Sequence, residues 1–280
     1  MPGLGGGCIL SSSQNRWDHR GVQMSAVAFY VLLGSLAGGL IQGLSGFAFG
    51  LVAMTFWVWV IPPQVAGPLV VFGSLVGQLL SLGWIRPSFV RQRLWPLVLG
   101  GCSGTPIGAW MLHYIDPTVF KMAVGLILVA YCPLVLFFRV MPRVTVGGRF
   151  ADASVGVIGG VMGGLGGLNG PAPTLWCSLR GWSRDEQRAV FQTFSLSTQA
   201  LTLMIYAASG LITRETVWLF AIVAPAMAVP TLIGVRLYSR FSEAGFRQLI
   251  LVLLGLSGVV LLIASVPRLL NWAAFNATTG

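Results

Sequence analysis

The chain is 280 residues long, 55% hydrophobic and only 9% charged, far more apolar and less charged than a soluble core of this length requires. This composition excludes an ordinary soluble domain and implies a polytopic membrane protein in contact with the lipid bilayer. The net charge of +10 is no nucleic-acid signal, because Lys and Arg stand in short clusters between apolar runs, as expected where cytoplasmic positive charge sets topology.

In chain order, residues 1–23 contain no apolar core of signal-peptide length and read as a disordered leader, with Met24 a second candidate start. No Asp, Glu, Lys or Arg occurs between Gly21 and Ile85, whereas about 20 apolar residues suffice for one crossing. Apolar runs bounded by charge, Pro or Gly follow at 24–44, 47–61, 65–84, 94–113, 117–138, 153–168, 171–179, 188–209, 216–236 and 245–266. They predict an all-α membrane protein of about eight to ten segments. Its parts would be a first membrane repeat at 24–138, a cytoplasmic linker at 139–152, a second repeat at 153–266 and a tail at 267–280. Cys8, Cys102, Cys132 and Cys177 are widely spaced, three of them inside apolar runs, so neither a metal site nor a disulfide framework is indicated, and no cofactor is expected.

A shift of 121 residues lays Gly38, Gly39, Gly43 and Gly46 on Gly159, Gly160, Gly164 and Gly167 without a gap, and Ser74, Gln78 and Ser81 on Ser195, Gln199 and Thr202. With a five-residue insertion Gly108 meets Gly234. The duplicated polar triplet makes this more than glycine coincidence. Charge then sets the orientation. Arg86, Arg91 and Arg93 mark one connection as cytoplasmic, and Arg139, Arg143 and Arg149 mark the central one. The clusters Arg180, Arg184, Arg188 and Arg236, Arg240, Arg247 share that side only if the connection near Gly210 is outside. The halves are then inverted, and 24–61 and 153–179 each enter and leave on one side.

The runs at 24–44 and 47–61, and those at 153–168 and 171–179, with the residues joining each pair, are the glycine-rich ones. In "GGLGGLNGPAPTLW" Asn169 or Gly170 would cap a helix opened by Pro171, and Ser45 with Gly46 holds the corresponding place in "GGLIQGLSGFAFG". Broken backbone at membrane depth is tolerated only inside protein or beside a watery cavity. Two half-helix N-termini meeting there would form an anion site without a charged side chain. Gly38, Gly39, Gly159 and Gly160 suit close helix packing. Gly43, Ser45, Gly46, Gly167, Asn169 and Gly170 are the candidate substrate-binding residues, and Gln78, Ser195 and Gln199, in stripes of helical spacing, are candidate cavity walls. Arg236 and Lys121 fall near helix ends, Asp185 and Glu186 in a charged loop, and no buried carboxylate is expected as a proton relay.

The Gly-x-Ser-Gly string at Ser45 also resembles the serine motif of rhomboid intramembrane proteases. A nucleophilic serine needs a base within reach, and His113 is expected at the interface instead. With "GLSGFAFGL", "GGLGGLNGPAP", "RAVFQTF" and the duplicated architecture, residues 25–266 resemble the TauE/SafE family of bacterial membrane permeases. That resemblance implies a non-enzymatic inner-membrane secondary transporter exporting a small anion, sulfite or a short organosulfonate, by alternating access. It allows a homo-oligomer, and an uncoupled anion channel is the alternative. Half one lacks the longer glycine run followed by Pro that is common in the family, with Phe47 and Phe49 in its place, which bears on the substrate.

Overall fold

The computed structural model describes residues 9–46, 48–81, 91–137, 147–182 and 184–238, with 255, 258–260 and 262–263. The described residues are helical, without strands: α1 (Ile9–Ser45), α2 (Phe49–Trp57), α3 (Pro63–Ser81), α4 (Arg91–Tyr114), α5 (Pro117–Phe137), α6 (Gly148–Gly166), α7 (Pro171–Leu179), α8 (Arg184–Ala208) and α9 (Arg214–Tyr238). The stretch read as a disordered leader is continuous with α1 from Ile9 onward. Likewise α6 begins at Gly148, inside the stretch read as linker. Arg86, Arg139, Arg143, Arg240, Arg247, the tail at 267–280 and most of the run at 245–266 lie outside the described residues.

Helix ends follow from local chemistry. Asp116 caps α5 by accepting the N–H groups of Thr118 at 2.7 Å and Val119 at 3.3 Å, with Pro117 in the position where a missing N–H is harmless. Thr213 does the same for α9 through the Thr216 N–H at 3.3 Å. Among the described residues, four helical stretches are long and apolar enough to cross a membrane: Ala26–Ser45, Pro63–Ser81, Pro117–Leu134 and Arg214–Leu237. Exposed Phe29, Leu32, Leu126, Val217 and Val229 on them suit a lipid-facing surface. This is a multi-pass membrane protein. Helix α6 is rich in glycine and α8 in Gln, Ser and Thr, residues that suit burial against other helices rather than lipid.

Two close interfaces organise the bundle. A Cβ at Gly39 would collide with the Met227 backbone and one at Gly43 with the Thr231 carbonyl, so α1 and α9 touch backbone to backbone. Gly160 meets Gly101 and Gly164 meets Thr105 in the same way, joining α6 to α4, with Gly100, Gly104 and Gly108 answering from α4. Without Cβ atoms the backbones approach closely, and contact area replaces a hydrophobic drive that lipid cannot supply. Residue numbers rise together along both interfaces, so each pair of helices is parallel. Along α3 and α9, Phe72 stacks on Phe220 at 4.2 Å between ring centroids, Gly73 faces Val223 and Gly77 faces Met227, which makes that pair parallel as well.

Helices α2 and α7 fold back. The Trp57 indole N–H donates to the Tyr30 carbonyl at 3.2 Å and Gly34 lies under the same ring, while the Phe49 ring covers Gly38. In the other half Asn169 lies on Gly163, Pro173 on Gly159, and Arg180 pairs with Asp152 at 3.1 Å. Each glycine-rich segment is therefore a helical hairpin that enters and leaves at one end of the bundle.

Candidate functional site

The two hairpin bends are built alike. α1 ends at Ser45 and α6 at Gly166, and the next residues, Gly46 and Gly167, take φ of 84° and 72°, a left-handed conformation that glycine adopts without cost. The Gly46 N–H returns to the Gln42 carbonyl at 2.7 Å and the Gly167 N–H to the Gly163 carbonyl at 2.6 Å. The two bends, 121 residues apart, share this turn geometry.

Between the bends lies a buried polar core without a charged side chain among its members. From α3, Gln78 Nε2 donates to the Gly46 carbonyl at 2.9 Å and to Ser195 Oγ at 3.4 Å. From α8, Gln199 Nε2 donates to Asn169 Oδ1 at 3.2 Å, and Asn169 Nδ2 donates to Ser195 Oγ at 3.2 Å and Thr198 Oγ1 at 2.9 Å. Gln192 Nε2 reaches the Gln78 carbonyl at 3.1 Å. A continuous set of hydrogen bonds thus runs Gly46, Gln78, Ser195, Asn169, Gln199, and each stripe glutamine holds the bend of its own half. Gln78, Asn169 and Gln199 are each 2% exposed and Ser195 is fully buried. Buried polar groups at membrane depth need such partners, yet Gln42 Nε2, Ser74 Oγ, Gln192 Oε1 and Gln199 Oε1 have none.

The candidate residues separate into three groups. Gln78, Asn169, Ser195 and Gln199 come together with the Gly46 carbonyl. Gly167 and Gly170 frame the second bend, Gly170 being the N-cap of α7 without a side-chain cap. The Asn169 side chain does not cap α7 but turns to α8. Gly43 is placed differently from the expectation: as an interior residue of α1 its N–H belongs to the helix ladder, and its open side packs on α9. Gly164 packs on α4 in the same manner, and its carbonyl accepts the Tyr206 hydroxyl.

The half-helix N-termini are also less open than expected. Ser45 Oγ accepts the Ala48 N–H at 3.2 Å and donates to the Ile41 carbonyl at 2.7 Å, and Gln42 Oε1 accepts the Phe49 N–H at 3.2 Å. In α7, Pro171 and Pro173 supply no N–H at all. Ser45 is a capping residue of the first bend. His113 stands at the C-terminal end of α4, beside a cavity of about 310 Å³ that Trp110, Tyr114, Ile205 and Ser209 also line, away from the polar core.

Two residues went unremarked in the sequence. Gln42, 1% exposed, is the half-one group that braces the start of α2. Its signal was a glutamine inside an uncharged stretch four residues before Gly46, a costly residue at that depth. Asp152 is a buried carboxylate, 6% exposed, contrary to the expectation of none. It accepts the Trp176 indole N–H at 2.7 Å and pairs with Arg180, which also donates to the Gly148 carbonyl at 2.9 Å. That cluster closes the hairpin mouth and is separate from the polar core.

A family model described as "Sulfite exporter TauE/SafE" matches residues 30–261, most of the chain. Among curated proteins and among solved structures no match is found.

Proposed function

The chain belongs to the sulfite exporter TauE/SafE family, and on that premise we propose that it is a secondary transporter of a small anion, sulfite or a short organosulfonate, in a bacterial inner membrane. The observation that carries this reading is the hydrogen-bonded core linking the two helix bends, neutral throughout, buried, and left with unpaired polar groups. Gly46, Gly167, Asn169, Gly170, Gln78, Ser195 and Gln199 would surround the substrate, with Ser45 holding the first bend. The positive dipole ends of α2 and α7, each about half an elementary charge, would favour negative charge there.

We read the halves as inverted repeats. Along α3 and α8, Gly67 faces Tyr206 and Gln78 meets Ser195, so the repeat partners α3 and α8 run in opposite directions. Alternating access then follows as one bundle rocks against the other about the central core. Asn169 joins the second bend to α8 by three hydrogen bonds, which makes it the most informative position. Asn169→Leu is expected to abolish sulfite or sulfonate flux in proteoliposomes while the protein remains folded and inserted. It should also abolish ligand stabilisation, which at a hundred times the dissociation constant amounts to about 2.7 kcal/mol. Full transport by that variant would remove the core from the substrate path.

A further inference from the structure

The unpaired groups of the core differ in kind between its two halves. On the first side the Phe49 N–H fixes Gln42 Oε1, so the carboxamide can lie only one way and Nε2 is left as a buried donor without an acceptor. It lies over Gly77, where an added Cβ would meet Gln42 Cγ at 2.8 Å and Nε2 at 3.2 Å, directly beside Gln78 in α3. On the second side Gln199 uses its Nε2 on Asn169 and leaves Oε1 as a buried acceptor without a donor. Gln192 Oε1 is in the same condition, and Ser74 Oγ, which can act either way, is unpaired on α3.

An occupant that satisfies these groups must accept at one end and donate at the other. The charge it can carry is limited as well. Desolvation cost grows with the square of the charge, so a dianion costs about four times as much to bring in as a monoanion of equal size. Neutral amides and partial helix charges cannot offset that. A fully ionised dianion also has no proton to give Gln199 or Gln192.

We propose that the core takes its ligand as a singly charged, proton-bearing sulfur oxyanion, hydrogen sulfite in preference to sulfite, and that Gln42 is a substrate-binding residue. Gln42 Nε2 donates to a ligand oxygen from the first half, and Gln199 Oε1 accepts the ligand's O–H from the second. This rests on the anion-transport reading above.

The test uses the purified full chain in proteoliposomes at equal internal and external pH, measuring KM for total sulfite at several pH values through the ionisation of hydrogen sulfite. The expected result is a KM that rises about tenfold per pH unit above that ionisation and stays constant when expressed as hydrogen sulfite. A KM in total sulfite that is flat, or falls, with rising pH overturns the charge-state assignment while leaving anion transport standing. Absence of saturable sulfite flux at every pH removes both. Gln42→Glu keeps an oxygen for the Phe49 N–H and replaces the amide donor with a carboxyl, which repels the anion where it is ionised and can donate its O–H where it is protonated. It should raise KM at least tenfold wherever its carboxyl is ionised, and less where it is protonated, as measured on variant protein that remains folded and inserted. Gln42→Leu should raise KM at all pH values. An unchanged KM in folded Gln42→Glu removes Gln42 from the site.

Discussion

Gly46 and Gly167 share a left-handed backbone but not an environment. A Cβ at Gly46 would meet nothing within 4 Å, whereas one at Gly167 would meet Val70 Cγ1 at 2.5 Å. Alanine at either position incurs the left-handed cost of roughly 1–2 kcal/mol. At Gly167 it must also displace a fully buried valine of α3, an overpacking cost of about 1–3 kcal/mol. Gly167→Ala is therefore expected to lower the melting temperature in detergent clearly more than Gly46→Ala, and equal losses would mean that the second bend moves freely away from α3. The equivalence of these glycines was legible in the sequence because the turn needs a residue without a Cβ in both halves. The difference between Gly46 and Gly43 was not, because glycines three apart look alike whether they turn a chain or seat a neighbouring helix. Only the partner α9, almost 190 residues further on, distinguishes them.

The two hairpins close by different means. In α6–α7 Asp152 accepts from Arg180 and from the Trp176 indole, and the guanidinium lies over that ring at 4.9 Å. The α1–α2 hairpin has no charged residue available anywhere from Gly21 to Ile85 and uses the Trp57 indole on the Tyr30 carbonyl. With side chains only 11% and 9% exposed, the Arg180–Asp152 pair is shielded enough that loss of one partner strands the other, and the penalty exceeds the value of an exposed pair. Asp152→Ala is expected to cost about 2 kcal/mol or more, with a large part regained in the double variant Asp152→Ala, Arg180→Leu. A thermodynamic cycle of the four proteins by detergent melting measures this, and strictly additive losses would mean that the pair does not couple. Asp152 was hidden in the sequence by its neighbours. Within four residues of Arg149 it looks like part of a charged loop, and only α7 folding back buries it.

At the scale of the molecule, the two interfaces exchange under the repeat. α1 packs on α9 through Gly39 with Met227 and Gly43 with Thr231, and α6 packs on α4 through Gly160 with Gly101 and Gly164 with Thr105. Shifting the first helix of each pair by 121 residues and the second by 126 converts one interface into the other, so both halves contribute one helix to each. Under the inverted-repeat reading proposed above, this exchange corresponds to a two-fold relation between the halves, and the opposed directions of α3 and α8 fit an axis in the membrane plane. Charge agrees: Arg149 begins α6, Arg180 ends α7 and Arg236 lies in the last turn of α9, which is one end of the bundle, while the connection near Gly210 lies at the other. Ser88 and Ser209 are related by the same shift of 121 residues. In a background with Cys8, Cys102, Cys132 and Cys177 replaced, a membrane-impermeant maleimide applied to intact cells should label Ser209→Cys, and should label Ser88→Cys only after permeabilisation. Labelling of both from the same side would make the repeats parallel. Parallel repeats could share a buried core, but neither could take the other's place when the bundle rocks, and alternating access would need two unrelated motions in place of one motion and its mirror in the membrane.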